Sequence, residues 1–333
     1  MLMLWVVVQL LCKNTNFDTN NAGMSFAVII NHDLFKEKWL QALHQSAPEL
    51  PIAAFPDIAS PDKVTFLLVW RPPAGVFSRF LNLQCIASAG AGVDHIFRAG
   101  PVPENVSITR VVDEQLTRDM GLYLAGQVIA YARDFYTYLR AQQQHHWRPR
   151  MYKRTEDLTV GIMGLGVLGI HAAEVLHQLG FKVRGWSRTP KSWPHLQTFA
   201  GDEQLPAFLQ ETHILINLLP LTEQTRGILN KELFAMLPDG AYLINAARGA
   251  HLVEEDLLAA LDSGKLTGAC LDVFCEEPLP DAHPFWQRES IIITPHVASI
   301  TQPERVAPQI IDNYYRLQKG QPLLHTIDRQ RGY

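Results

Sequence analysis

The chain has 333 residues, more than the roughly 250–300 at which a single hydrophobic core stops growing, so we expect two domains. Its composition is 47% hydrophobic and 19% charged, and a net charge of −4 without a dominant basic cluster excludes nucleic acid or an anionic membrane surface as the main partner. The four cysteines form no Cys-x-x-Cys pair, which argues against disulfides and favours a reducing, cytoplasmic compartment.

The first residues are unusual for the start of a globular domain. Met1–Cys12 are nearly all apolar, but this stretch is shorter than the about 20 residues that span a bilayer. It also lacks the positive region and the cleavage site of a signal peptide. The run from Met24 to Asn31 is typical of a first strand. We therefore expect residues 1–23 to be an extension upstream of the native fold, with a signal anchor as the alternative.

From Met24 onward, short apolar runs alternate with helical stretches, the pattern of a parallel sheet covered by helices. The first series of predicted strands is Phe26–Ile30, Pro51–Phe55, Val64–Trp70 and Cys85–Ser88. Apolar residues at helical spacing then predict one long helix, Leu122–Gln144, between two domains. The second series of predicted strands is Leu158–Met163, Phe181–Trp186, Ile214–Leu218, Ala241–Asn245, Ala269–Val273 and Ile291–Thr294. The other predicted helices are Leu34–Gln45, Val253–Ser263 and Gln302–Lys319.

A glycine-rich turn follows the first strand of the second series. Gly164, Gly166 and Gly169 have the Gly-x-Gly-x-x-Gly spacing of a dinucleotide-binding loop. The first glycine permits the turn, the second lets the backbone approach a pyrophosphate, and the third lets the helix lie close to the strand. The free N–H groups at the start of that helix favour phosphates. The loop residues predicted to hold the cofactor are Gly164, Leu165, Gly166, Val167 and Leu168.

The next strand of the series indicates which dinucleotide binds. In NAD-binding loops an acidic residue about 20 residues past the glycines binds the ribose 2′-hydroxyl. Here Ser187 occupies that position, and Arg188 and Lys191 follow it. A hydroxyl beside a guanidinium binds a 2′-phosphate, which a carboxylate would repel. We therefore predict NADP(H) in preference to NAD(H); the alternative is that these two cations are only solvated charges after a strand.

Polar side chains follow three of the later strands, and they indicate the chemistry. Ligands of open parallel sheets bind at the carboxyl ends of the strands, where Arg248, Glu277 and His296 are expected. Hydride transfer to a 2-oxo acid needs a planar pair of N–H donors for the carboxylate, which an arginine provides. It also needs a proton donor for the developing oxyanion, which a histidine provides. A carboxylate beside the imidazole orients the ring. We predict these three residues as the catalytic set and expect no metal site.

With these motifs, residues from about Met24 to Tyr333 resemble the D-isomer-specific 2-hydroxyacid dehydrogenases, most closely their bacterial glyoxylate/hydroxypyruvate reductase A type. The matching segments are Val160–Gly169, Trp186–Trp193, Leu215–Pro220, Leu237–Leu243, Asn245–Gly249, Leu271–Pro280 and Ile293–Ser299. The resemblance implies the same catalytic set. It also implies that Asp272 lies near the nicotinamide and that other strand-end residues line the cofactor cleft. These lining residues are Leu219, Pro220, Ala246 and Ala247.

The first domain is expected to supply the other wall of the cleft. The segment Ser88–His95 is similar to the family loop whose backbone N–H groups hold the substrate carboxylate, which places Ala91 and Gly92 at the substrate. Trp70 and Arg71 end the preceding strand and shape a small pocket. The resemblance also suggests a homodimer in which Trp147 reaches the active site of the neighbouring subunit; the alternative is an interface aromatic with no catalytic part.

Together these features predict an α/β fold with two doubly wound parallel-sheet domains and the active site in the cleft between them. The substrate-binding domain is expected to be flavodoxin-like and discontinuous, with residues 24–122 plus 302–333, and the Rossmann cofactor domain is expected at 123–301. The family often has an Ala-Glu pair at the start of the interdomain helix, and Arg118–Ala125 lacks it, which puts contacts from Met120 and Leu124 in doubt.

The predicted function is the NADPH-dependent reduction of small 2-oxo acids, glyoxylate to glycolate and hydroxypyruvate to D-glycerate, and Trp70 favours small substrates. One alternative is another D-2-hydroxyacid dehydrogenase that acts on phosphoglycerate, D-lactate or branched 2-oxo acids. A second alternative is a non-enzymatic NAD(P)H-sensing regulator on the same fold, because a fold does not fix a function.

Overall fold

The computed structural model describes residues 25–329, so the expected extension at 1–23 lies outside the described residues. The strands are β1 Phe26–Ile30, β2 Ile52–Ala54, β3 Phe66–Trp70, β4 Cys85–Ser88, β5 Ser107–Thr109, β6 Thr159–Met163, β7 Lys182–Ser187, β8 Gln197–Ala200, β9 Ile214–Asn217, β10 Ala241–Asn245, β11 Leu266–Leu271 and β12 Ile291–Ile293. The helices are α1 Asp33–Ser46, α2 Asp94–Arg98, α3 Glu114–Ala132, α4 Phe135–Gln143, α5 Val167–Gln178, α6 Gly201–Leu209, α7 Lys231–Met236, α8 Glu254–Asp262 and α9 Pro303–Gln318.

The first five strands form a parallel sheet in the order β2-β1-β3-β4-β5, which is the flavodoxin-like order that we expected. Successive side chains enter two different cores because strand residues alternate between the faces of a sheet. Phe26 and Val28 pack with α1 and α9 on one face, whereas Ala27 and Ile29 belong to the core on the other face. The last helix of the chain therefore completes the first sheet.

The remaining seven strands form a second parallel sheet in the order β12-β11-β10-β9-β6-β7-β8. The strand order reverses between β6 and β9, and this reversal is the point at which doubly wound sheets bind dinucleotides. The glycine loop follows β6 at this point. Two parallel α/β sheets, one flavodoxin-like and one of Rossmann type, confirm the predicted fold class.

The segment between the two sheets differs from the single predicted helix Leu122–Gln144. Helix α3 begins earlier because the Asp113 carboxylate caps it, accepting a hydrogen bond from the N–H of Leu116 at 3.0 Å. The helix ends at Ala132, since Asp134 takes a left-handed conformation with φ of 55°, and α4 starts directly after it. The sequence boundary at 122/123 lies inside α3, and Met120 and Leu124, whose contacts were in doubt, pack in the core beneath β6.

Two short strands, β5 and β8, were absent from our sequence prediction. The first has only three residues, and the second carries the polar Gln197 and Thr198 at the edge of its sheet. Neither strand has the apolar run that marks a buried strand. Both extend their sheets without altering the strand ends that form the cleft.

Candidate functional site

Arg248, Glu277 and His296 line one cavity of about 460 Å³ between the two sheets. The first domain contributes to the same cavity through Trp70 and Arg71 at the end of β3. The three predicted catalytic residues are thus brought together, each from a loop that follows a strand of the second sheet.

His296 and Glu277 form a direct pair. Nδ1 of the imidazole lies 2.9 Å from Oε2 and 3.1 Å from Oε1 of the carboxylate. The backbone of His296 is left-handed, with φ of 56°, and its N–H donates to the carbonyl oxygen of Asp272 at 2.8 Å. Because Nδ1 is held by the carboxylate, Nε2 is the ring nitrogen that remains for a ligand in the cavity.

The pKa of Glu277 is low even though its carboxyl group is largely buried. Burial alone would raise the pKa, but the hydrogen bond and charge of His296, the N–H of Phe274 at 3.1 Å and Arg71 at 2.5 Å together lower it from 4.5 to about 2. Glu277 is therefore ionised at every physiological pH. An ionised carboxylate that accepts from Nδ1 fixes the orientation of the imidazole.

Arg248 faces the same cavity and is fixed by groups of both domains. Its Nε donates to Oδ1 of Asp94 at 2.8 Å, and its Nη1 donates to the carbonyl oxygen of Ala247 at 2.6 Å. Burial tends to raise the pKa of Asp94, but the charge and hydrogen bond of Arg248, with the charges of His95 and Arg98, together lower it. The remaining nitrogen, Nη2, lies against Gly92, where a Cβ atom would be only 1.8 Å away. A side chain at this position would displace the guanidinium from the loop that contains Gly92.

Hydrogen bonds within the loop between β4 and α2, the predicted substrate loop, stabilise its conformation. The hydroxyl of Ser88 donates to the carbonyl oxygen of Gly92 at 2.7 Å and accepts from the N–H of Gly90 at 3.2 Å. The ring of Trp70 lies so close to Gly90 that a Cβ there would be 2.7 Å from it. Ala91 and Gly92, the predicted substrate residues, directly follow Gly90 and are half-buried. These contacts stabilise the conformation of the loop, which places Gly92 against Arg248.

His95 lies behind Trp70, with ring centroids 4.7 Å apart. Burial lowers the pKa of His95 to about 4, so the ring is neutral at physiological pH and packs as part of the cavity wall. A neutral imidazole in this position adds no charge beside Arg248.

Asp272 is hydrogen-bonded to the loop that carries His296. Its buried carboxylate accepts hydrogen bonds from the hydroxyl of Thr294 at 2.6 Å and from the N–H groups of Val297 and Ala298 at 2.9 and 3.0 Å. These three donors lie on either side of His296 in the same loop. The described contacts of Asp272 thus orient the loop that carries His296, and the predicted place of Asp272 near the nicotinamide stays a prediction.

The glycine loop has the geometry that a dinucleotide needs. Gly164 has φ of 105°, and a Cβ at Gly169 would lie 1.9 Å from the carbonyl oxygen of Gly164. At Gly166, by contrast, a Cβ would meet no protein atom within 4 Å, although α5 begins directly after it. The open space at the helix start is where a pyrophosphate would lie, so these residues fit the predicted cofactor. Leu165 is buried, Val167 is exposed and Leu168 is half-buried.

The residues predicted to select the dinucleotide follow β7 as expected. The hydroxyl of Ser187 donates to the carbonyl oxygen of Thr189 at 2.9 Å, and Nζ of Lys191 donates to the carbonyl oxygen of Leu165 at 2.7 Å. Arg188 is exposed between them. Lys191 thus connects the end of β7 to the glycine loop. A role of these residues toward a 2′-phosphate stays a prediction.

A buried asparagine pair supports the remaining cofactor residues, and our sequence analysis missed it. Nδ2 of Asn217 donates to Oδ1 of Asn245 at 3.1 Å. Their side-chain oxygens accept from the N–H groups of Leu219 at 3.2 Å and Ala247 at 3.3 Å. Leu219 and Ala247, with Ala246 and the half-buried Pro220, form the strand-end turns that we expected to line the cleft. The sequence does carry a signal for this pair, because the apolar strands β9 and β10 each end in an asparagine.

Trp147 does not line the cavity of its own chain. Its side chain is 95% exposed in the connection after α4, close in sequence to the exposed Met151 and Tyr152. Its predicted role at a neighbouring subunit stays a prediction. Within residues 25–329, no group of three or more His, Cys, Asp or Glu side chains is placed to hold a metal ion. The same part of the chain has no helix that is long and apolar enough to cross a membrane.

Comparisons with known proteins agree with this geometry. Residues 125–298 match the family model described as D-isomer specific 2-hydroxyacid dehydrogenase, NAD binding domain. The chain is 41% identical to a D-isomer specific 2-hydroxyacid dehydrogenase from Xanthobacter autotrophicus Py2, solved in complex with NADPH and MES; the TM-score is 0.85, with 93% of this chain and 100% of that chain covered.

Two further solved structures are similar over nearly their whole length. A family protein from Klebsiella pneumoniae 342 is 38% identical, with a TM-score of 0.86 and coverage of 92% of this chain and 99% of that chain. An NADPH-dependent glyoxylate/hydroxypyruvate reductase from Sinorhizobium meliloti, in complex with NADP and sulfate, is 36% identical, with a TM-score of 0.85 and coverage of 92% and 100%.

Proposed function

The chain belongs to the D-isomer specific 2-hydroxyacid dehydrogenase family, and from this premise we propose that it reduces small 2-oxo acids with NADPH, glyoxylate to glycolate and hydroxypyruvate to D-glycerate. The observation that carries the proposal is the ionised Glu277 paired with His296, facing Arg248 in one cavity. The similarity to an NADPH-dependent glyoxylate/hydroxypyruvate reductase supports the substrate assignment.

In this proposal Arg248 binds the substrate carboxylate. Asp94 and the carbonyl oxygen of Ala247 hold Nε and Nη1, so Nη2 is the nitrogen directed to the substrate loop. A carboxylate bound between Nη2 and the peptide groups of Ala91 and Gly92 would receive charge-assisted hydrogen bonds from both domains. The keto carbon of a 2-oxo acid then lies one bond farther into the cavity, toward His296.

His296 supplies the proton in this proposal. The bound nicotinamide supplies the hydride for the keto carbon. The keto oxygen gains negative charge as its π bond breaks, and it takes the proton from Nε2 of His296, while Nδ1 stays against Glu277. The sum of one hydride and one proton converts the 2-oxo acid to the 2-hydroxy acid. Glu277 stabilises the imidazolium before transfer and keeps the ring in place after it.

We propose Ser187, Arg188 and Lys191 as the groups that favour NADP(H) over NAD(H). All three follow β7, no acidic residue stands in the segment Ser187–Lys191, and Lys191 already contacts the glycine loop. Relatives solved with NADPH and with NADP support this choice. A planar guanidinium and an ammonium offer the donors that a 2′-phosphate needs.

The experiment that tests the function is a panel of small 2-oxo acids assayed with NADPH and with NADH. We expect the highest kcat/KM for glyoxylate or hydroxypyruvate with NADPH. D-lactate or phosphoglycerate chemistry would instead give the highest value for pyruvate or a phosphorylated substrate. A protein that binds NADPH but turns over none of these acids would be a regulator, and the proposed function would be wrong.

We further propose a cytoplasmic homodimer with a substrate-binding domain of residues 24–122 and 302–333 and a cofactor domain of residues 123–301. Several large apolar side chains are exposed around α4 and the connection after it, as expected of a subunit interface. They are Phe135, Leu139, Trp147, Met151 and Tyr152. Light scattering after size-exclusion chromatography should give twice the mass of one chain, and Trp147→Ala should lower activity if this residue reaches the partner's cavity.

A further inference from the structure

The catalytic pair of the second domain is contacted by a cation of the first domain. Nη2 of Arg71 lies 2.5 Å from Oε2 of Glu277, and this is the same oxygen that lies 2.9 Å from Nδ1 of His296. Arg71 directly follows β3, on the opposite side of the cleft from the loops that carry the other two residues. One carboxylate oxygen therefore joins an arginine and the proposed proton donor across the domain boundary.

The backbone at Arg71 is shaped for this contact. Its φ is 47°, a left-handed conformation that non-glycine residues seldom adopt. The residue before it is fixed, because the carbonyl oxygen of Trp70 accepts from the N–H of Asn31 at 3.1 Å. The chain thus turns sharply at the strand end and directs the guanidinium at the cleft. Non-glycine residues in this conformation concentrate at functional sites, where the surrounding structure enforces them.

We propose that Arg71 is a positioning residue that couples contact between the two domains to the acid strength of His296. The inference rests on the proposed function, in which His296 gives its proton to the substrate. A carboxylate that is also paired with a guanidinium stabilises the imidazolium less. The guanidinium itself repels the positive charge of the imidazolium. His296 should therefore release its proton more readily while Arg71 is in place. Because the contact crosses the cleft, any separation of the domains would remove this effect.

Other charged and titratable groups face the same cavity, but Arg71 differs from them because it contacts the carboxylate that is paired with His296. Asp94 is paired with Arg248 at 2.8 Å and with Arg98 at 3.3 Å, so its single carboxylate neutralises only one of the two guanidinium charges. His95 and Cys275 also line the cavity, together with Glu276. The carboxylate of Asp272 is bonded to donors of the loop that carries His296. Glu277 contacts His296 and Arg71 directly.

The experiment compares Arg71→Gln and Arg71→Lys with Arg98→Gln, a matched control that removes a cavity arginine without touching Glu277. The first readout is the pH dependence of kcat/KM for glyoxylate with NADPH, and the second is the NMR titration of ¹⁵N-labelled histidine in the protein without added ligands. The signal of His296 is identified by its loss in His296→Asn. The second readout needs no turnover, so failure of the proposed function and failure of this inference are distinguishable.

We expect Arg71→Gln to move the alkaline fall in kcat/KM, and the midpoint of the His296 signal, to higher pH by roughly 0.5 unit, the size expected for a half-exposed pair. Arg71→Lys should restore most of the original midpoint, and Arg98→Gln should move it by less than half as much. A purely structural role would lower kcat/KM equally at all pH values. An unmoved midpoint in Arg71→Gln, or an equal shift in Arg98→Gln, would overturn the inference.

Discussion

Gly92→Ala is predicted to damage substrate binding while leaving the fold intact. A Cβ at this position would lie 1.8 Å from Nη2 of Arg248, so the guanidinium must move away from the substrate loop. The displaced atom is the far end of a flexible side chain, and the backbone of Gly92 is not left-handed. The cost should therefore fall on the function of the arginine rather than on folding.

The magnitude follows from the contacts that the arginine would lose. A hydrogen bond between charged groups contributes about 1.5–3 kcal/mol. At about 1.4 kcal/mol for each factor of ten, loss of one such bond to the substrate carboxylate lowers kcat/KM roughly 10- to 100-fold. The main effect should be a higher KM, because the proposed function has Arg248 bind the carboxylate before and during the reaction.

The assay measures kcat and KM for glyoxylate and the thermal unfolding midpoint of the same protein. Gly126→Ala is the matched control, because a Cβ at Gly126 in α3 would meet nothing within 4 Å. We expect both variants to unfold near the wild-type temperature and only Gly92→Ala to lose activity. Wild-type KM in folded Gly92→Ala would refute the role assigned to Nη2 of Arg248.

Three further predictions concern the cofactor loop, cofactor choice and pH. Gly169→Ala should lower the free energy of unfolding in urea by about 1–3 kcal/mol, because the added Cβ would lie 1.9 Å from the backbone oxygen of Gly164, whereas Gly166→Ala should weaken NADPH binding without destabilising the fold. Arg188→Ala should lower the ratio of kcat/KM for NADPH over NADH roughly tenfold or more; an unchanged ratio would contradict the assignment. The folded-state pKa of Glu277 is lowered from 4.5 to about 2, so its stabilising contribution is complete above about pH 5 and is lost as the pH falls toward 2. The unfolding free energies of wild type and Glu277→Gln should converge over that range, and parallel curves would count against the pairing.

Much of the fold could be predicted because apolar runs and glycines encode local structure. The strands beneath the catalytic residues carry continuous apolar runs, and the glycine spacing marked the loop after β6. The break between α3 and α4 could not be predicted, since it depends on the left-handed conformation of Asp134 within a continuous apolar pattern. The polar edge strand β8 was missed because it lacks the run of buried side chains found in strands such as β6 and β10.

The candidate site was predictable on the side of the second sheet and less so across the cleft. Arg248, Glu277 and His296 follow neighbouring strands, so the rule for strand ends brings them together. The partners Asp94 and Arg71 come from the other domain, 154 and 206 residues away from the groups they contact. No local sequence pattern indicates a contact between residues so far apart in the chain. Only the packing of the two domains creates such a contact.

The central claim is that His296 is the proton donor of an NADPH-dependent 2-oxo acid reductase. The most direct measurement compares NADPH oxidation with glyoxylate by wild type, His296→Asn and His44→Asn, in which a histidine exposed on α1 is replaced as a control. The account predicts turnover by wild type and His44→Asn, and a loss of about 10²- to 10⁴-fold in kcat for His296→Asn with NADPH binding retained. Undiminished turnover by His296→Asn would contradict it.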